Sequence, residues 1–209
     1  MRPILLSIFA CCVFFLILMA ITSNRNGNLT IFVDRSSITK SLSLSESSTL
    51  SDPKGKIYGP SLNGAWDTSE DYIPSDVYLL DGNNSGTNYL AYTFYVFNSG
   101  IEKLDYSMKF ELENTSKNLD ETIRIRFYVN DVLTTYAKKS NITDEAETGT
   151  TAFESDNIIT SHTITDFEPN EVTKYSIVLW VEGEDIDCTN DKIGGSITLS
   201  MAFSVLGII

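Results

Sequence analysis

Alternation of apolar and polar side chains dominates the second half of the chain. In residues 196–205, Ile197, Leu199, Met201, Phe203 and Val205 alternate with Thr198, Ser200, Ala202 and Ser204, which predicts a strand with one oily face and one small, polar face. Residues 175–181 (Tyr-Ser-Ile-Val-Leu-Trp-Val) are instead an unbroken β-branched and aromatic run, the pattern of a strand buried on both sides. Residues 89–97 read the same way and stop at Asn98-Ser99-Gly100. Tyr106, Met108, Phe110 and Leu112 alternate with Ser107, Lys109, Glu111 and Glu113, and Ile123, Ile125, Phe127 and Val129 with Arg124, Arg126, Tyr128 and Asn130. Each set predicts a half-buried strand with one wet face. Asn130-Asp131 stands where a tight hairpin turn would, returning through residues 132–137. Residues 158–164 resume the strand pattern.

The first half is less regular. Residues 28–33 hold Leu29, Ile31 and Val33 on one face of a short strand, and residues 36–51 are Ser-rich with Ile38, Leu42 and Leu44 between the serines. That stretch reads either as an edge strand or as a flexible tether. Residues 52–76 collect Pro53, Pro60 and Pro74 with several glycines, hence turns laid over the fold. A strand is expected at residues 77–80, closed by Asp81-Gly82-Asn83-Asn84-Ser85-Gly86. Residues 138–157 are polar and acidic, a long surface loop with room for a short helix. Short strands about every ten residues, without a long amphipathic helix, predict an all-β fold: a jelly-roll-like antiparallel β-sandwich preceded by an N-terminal hydrophobic helix. The expected division is 1–23 signal peptide or membrane anchor, 24–51 Ser-rich arm, and 52–209 sandwich domain.

The helix expectation rests on the twenty residues from Pro3 to Thr22, which carry no charge. They are long enough to span a bilayer, while Ala20-Ile21-Thr22 offers small residues near a cleavage point. Both readings stay open, and only an uncleaved segment would make the membrane a partner. With 15 Lys and Arg against 28 Asp and Glu, the net charge is −13, which argues against nucleic acid as a partner. Cys11 and Cys12 lie in the apolar segment, so Cys188 stands alone in the domain and cannot form an internal disulfide there.

Candidate chemistry is sparse. His162 is the single histidine; it falls in a strand pattern and suits a structural role better than catalysis. No His-Glu-x-x-His motif exists for a zinc protease. The densest polar feature runs from Glu182 to Asp191, with Glu184, Asp185 and Asp187 between. Asp185, Asp187 and Asp191 are the candidate ligands for Ca²⁺, the one cofactor considered, because hard cations want several carboxylate oxygens on a flexible loop. The spacing begins like a calcium loop and then departs: Asn190 stands where Gly is needed and Ser196 where a bidentate Glu belongs. Trp66, Tyr72 and Tyr78 suggest either a sugar-binding shelf or packing caps. Leu29, Ile31 and Val33 are the candidate assembly strand, an extended segment able to fill an open sheet edge in the next copy of the chain.

The run Leu179-Trp180-Val181-Glu182-Gly183, an Asp and a Cys soon after, then Ile193-Gly194-Gly195 and the alternating Met201/Phe203 strand resemble the end of the TasA/camelysin-like family of secreted Gram-positive proteins. The turn Asp166-Phe167-Glu168-Pro169-Asn170-Glu171 and the strand ending Asn98-Ser99-Gly100 extend the resemblance over about residues 88–205. It implies a jelly-roll-like sandwich, export to the extracellular space or cell surface, and one of two roles: a biofilm-matrix fibre subunit or a surface metalloprotease. The missing zinc motif speaks against the second. The resulting expectation is a non-enzymatic structural protein that self-assembles by strand addition, with a membrane-tethered binding module for sugar, protein or Ca²⁺ as the alternative.

Overall fold

The alternating segments become strands that line one core between two sheets. The computed structural model describes residues 28–62 and 67–209. The apolar segment from Pro3 to Thr22, with the helix expected there, and Trp66 lie outside those residues. The strands are β1 (Leu29–Val33), β2 (Leu42–Ser45), β3 (Lys56–Tyr58), β4 (Gly82–Asn83), β5 (Tyr89–Asn98) and β6 (Leu104–Thr115), then β7 (Ile123–Val129), β8 (Val132–Ala137), β9 (Thr151–Ala152), β10 (Ile158–Phe167), β11 (Val172–Val181) and β12 (Ile197–Ile208). One helical turn, α1 (Arg35–Ile38), links β1 to β2.

One sheet has five strands in the order β10-β6-β12-β1-β3. The other has seven, β2-β5-β11-β7-β8-β9, with β4 also paired to β5. From β5 to β7 the chain crosses from one sheet to the other at every step, and it does so again from β9 to β12, as expected of a jelly-roll-like sandwich. Pairing is antiparallel except for β1 with β12 and β8 with β9. The hairpin turn falls where the sequence places it, with Asn130 at φ 48° and Asp131 at φ 66°, the left-handed pair that a two-residue loop requires.

The core is aromatic at its centre. The Tyr175 ring lies 5.5 Å from Phe94, 5.8 Å from Phe127 and 5.3 Å from Phe203, so residues from both sheets meet in one cluster. A second, smaller cluster sits on the outer face of the seven-stranded sheet. There Ala91, Tyr128, Val178 and Trp180 are buried beneath Ile73 and Val77, which come from the Pro-containing crossing segment. This layer explains why residues 89–97 and 175–181 are apolar on both faces: each covers two cores at once.

Several expectations change. Residues 77–80 do not form a strand; Val77–Leu79 is a 3-10 turn, because Val77 is drawn onto the outer cluster rather than into a ladder. Residues 138–157 hold no helix, only β9. The face of β7 bearing Arg124, Arg126 and Tyr128 is not wet: Arg124 and Tyr128 are buried, and the Arg126 guanidinium lies over the Trp180 ring. The boundary of the arm at 24–51 moves as well, since β2 pairs with β5 as an edge strand and β1 lies inside the other sheet. Leu29 and Ile31 are fully buried and Val33 nearly so. As an assembly strand, Leu29, Ile31 and Val33 are therefore already spent, held by β12 on one side and β3 on the other.

Candidate functional site

The acidic loop leaves the end of β11, beside the start of β7. Arg124 is the second residue of β7 and points outward, where burial strips its water and makes an unpaired charge costly. Its Nη2 lies 2.6 Å from Asp185 Oδ2 and 3.7 Å from Glu147 Oε2, and the Asp185 side chain is 1% exposed. The other Asp185 oxygen, Oδ1, accepts the Asp187 amide at 2.8 Å, a local Asx-type turn. Asn141 donates to Asp187 Oδ2 at 3.5 Å. The loop is thus folded down over a buried guanidinium.

Among the described residues, carboxylate oxygens of Glu147, Asp185 and Asp187 lie within 4.8 Å of one another. Of the expected calcium ligands the structure brings Asp185 and Asp187 together and leaves Asp191 apart, its carboxylate taken by the Thr189 hydroxyl. Both oxygens of Asp185 are engaged, one by Arg124 and one by a backbone amide. A guanidinium therefore already balances charge where the ion was expected. Sequence reasoning missed Glu147 and Arg124, which come from other parts of the chain. The signal available was an Arg on an otherwise alternating strand, facing a segment with a surplus of acids.

A cavity of about 730 Å³ opens at the same end of the sandwich. Leu62, Leu119, Val181 and Ile197 give it an apolar floor, with Asp67, Cys188 and Lys192 at the margin. Burial pushes the Cys188 thiol above its ordinary range, and Asp67, Asp185 and Glu182 add to the effect, so this sulfur is held as an unreactive thiol. For the Lys192 amine, burial works against the charge, but a hydrogen bond from Lys192 to Glu121 outweighs it and holds the pKa above the usual value. The Ile-Gly-Gly turn closes this end. Gly194 has φ 73°, and a Cβ on Gly195 would meet the Lys192 carbonyl oxygen at 2.9 Å, so both positions require glycine.

His162 sits on the inner face of β10, its Nε2 3.1 Å from the Tyr175 hydroxyl. That hydroxyl lies 3.2 Å from Tyr106 Oη, which in turn donates to Thr173 Oγ1 at 3.1 Å. Burial lowers the His162 pKa below its ordinary value. The half-buried imidazole ends a polar chain whose tyrosine hydroxyls lie in the core, a place that suits a structural histidine. Of the aromatic trio, Tyr72 is largely exposed, whereas Tyr78 stacks on Tyr128 at 4.1 Å with the Lys174 amine over its other side. Tyr78 is thus a packing cap.

No protein-family model matches the chain, and no characterised protein does. Among solved structures, a β-glucosidase from Kluyveromyces marxianus in complex with glucose is similar over 77% of this chain and 15% of that one, at 12% identity and a TM-score of 0.26. A likeness that slight bears on neither fold nor function.

Proposed function

We propose that this chain is an exported, non-enzymatic β-sandwich of the cell surface or extracellular matrix that self-associates by adding strands edge to edge. The observation that carries this reading is the use made of the polar groups. His162 is hydrogen-bonded to Tyr175 at the edge of the core, and Arg124, Lys138 and Lys192 pair with Asp185, Asp120 and Glu121 to pin loops onto the sandwich. Of these six residues only Lys192 borders the cavity. Strand edges remain as the chemistry on offer, β10 the longest of them with ten residues, and an open edge supplies directional backbone hydrogen bonds. The resemblance of residues 88–205 to secreted fibre-forming proteins points the same way.

The test uses the full-length chain. Protease treatment of intact cells is expected to remove it, and the purified protein in mild detergent is expected to sediment as a concentration-dependent series of oligomers. A chain that stays monomeric at every concentration and cleaves casein in a chelator-sensitive manner overturns the reading. A second reading, a membrane-tethered binding module, draws on the apolar cavity beside Asn28, Cys188 and Lys192. It expects a small amphipathic ligand there and no dependence on strand edges.

A further inference from the structure

The five-stranded sheet ends in β10 and β3, and we infer that the free part of the β3 edge, Lys56 to Tyr58, in one copy docks on β10 of the next to continue the sheet. This inference rests on the self-association proposed above and names its surfaces. The direction of each outer edge follows from the hydrogen bonds on the inner side. Val33 N donates to the Gly55 carbonyl and Gly59 N to the Leu29 carbonyl, so Gly55, Ile57 and Gly59 face β1. By the two-residue period, Lys54, Lys56 and Tyr58 present their amides and carbonyls outward; Lys54 is taken by Leu44 of β2, bonded in both directions at 2.8 Å, which leaves Lys56 and Tyr58 as the free part of this edge. On the other flank, Ser161 N donates to Glu154 Oε1 at 2.7 Å rather than to β6. Ser161 therefore faces out, and so does Thr163. Glu154 blunts the edge at Ser161 and leaves Thr163, two residues on, without a partner among the described residues.

Strand direction and charge select the partner. β3 is antiparallel to β1, β1 parallel to β12, and β12, β6 and β10 alternate. β3 and β10 thus run in opposite senses, and a copy placed alongside in the same orientation meets its neighbour as an antiparallel pair. The β3 margin carries Arg35 and Lys56, both exposed and without a salt bridge among the described residues. The β10 margin carries exposed Glu154, Asp156 and Asp166, likewise unpaired. In a chain of net charge −13, an uncompensated pair of cations beside one open edge matches the acids beside the other. Pairing β10 with a second β10 would oppose like charges. Because the two edges lie on opposite flanks of the sheet, the contact is head to tail and propagates rather than closing on itself.

Thr163→Pro removes an outward amide and no bond to β6, and Tyr58→Pro does the same at β3. Each is expected to weaken self-association of the full-length protein, followed by sedimentation velocity and electron microscopy, by about tenfold or more. Thr163→Lys and Lys56→Glu keep every amide and block by charge, which covers the case in which a proline variant fails to fold. Added salt is expected to weaken assembly of the wild type. Mixing Thr163→Pro with Tyr58→Pro is decisive, since the first keeps its β3 edge and the second its β10 edge: a one-to-one pair that grows no further is expected. Assembly lost in the Thr163 variants but intact in both the Tyr58 and Lys56 variants overturns the pairing in favour of β10 with β10. Wild-type oligomers unaffected by all four overturn it outright, whereas a wild type that never assembles refutes the function proposed above.

Discussion

The two sheets of this sandwich are built from similar strands and end up in different surroundings. β6 and β7 have nearly the same alternation, yet the outward residues of β6 meet water while those of β7 are buried. The difference lies in what crosses them. The segment through Ile73 and Val77 lies on the seven-stranded sheet and sequesters Trp180, Tyr128 and Val178, with Thr93 and Ser176 hydrogen-bonded to each other and Ser176 to the Tyr78 carbonyl. The five-stranded sheet carries Ser107, Lys109, Ala202 and Ser204 on its outer face, small or charged side chains that remain at ease in water. A strand's own pattern tells which side faces the main core; whether the other side is wet depends on a segment elsewhere in the chain.

The largest effect should come from breaking the ion pair at the end of the covered sheet. Arg124→Met leaves the buried Asp185 carboxylate without its cation and is expected to cost about 3–5 kcal/mol, read from urea denaturation. Trp180→Ala opens the outer layer and should cost about 3–5 kcal/mol as well; a loss under about 1 kcal/mol would mean that the crossing segment does not seal that face. Trimming the same segment with Val77→Ala is expected to cost about 1–2 kcal/mol, since it removes fewer methyl groups from the same cluster. His162 tests the flank where the sheets meet. Its folded pKa lies below the unfolded value of 6.5, so the unfolded chain takes up the proton first as pH falls. Its contribution is complete above about pH 6.5 and is lost below, by at most about 1.4 kcal/mol per pH unit, and His162→Gln should flatten that part of the profile. Smallest of all, Thr198→Ala on the bare face is expected to fall within about 0.5 kcal/mol of wild type.

What was legible in the sequence follows the same division. The strands with strict alternation, the both-faced strands β5 and β11 and the Asn130-Asp131 turn are all local patterns, and each appears where the residues place it. Residues 77–79 form a 3-10 turn rather than a strand, since a short apolar run says that it is buried without saying in what shape. The segment holding Leu29, Ile31 and Val33 looked like a free arm because its serine-rich sequel suggested a tether; its parallel partner, β12, lies about 170 residues away in sequence. At the acidic loop, the crowding of carboxylates was plain, but the cation that answers them came from β7. Ion pairs between distant segments leave no spacing to read.

The placement of β1 also has a mechanical side. Leu29 to Val33 run parallel to β12 and are bonded along its length as five residue pairs. Tension applied at Asn28 and resisted at the far end of β12 would pull along both strands at once. Such a load stretches the rungs together instead of peeling them away one after another, and β3 holds the opposite flank. The pairing of β1 with β12 therefore has the geometry of a shear clamp toward a load applied at Asn28.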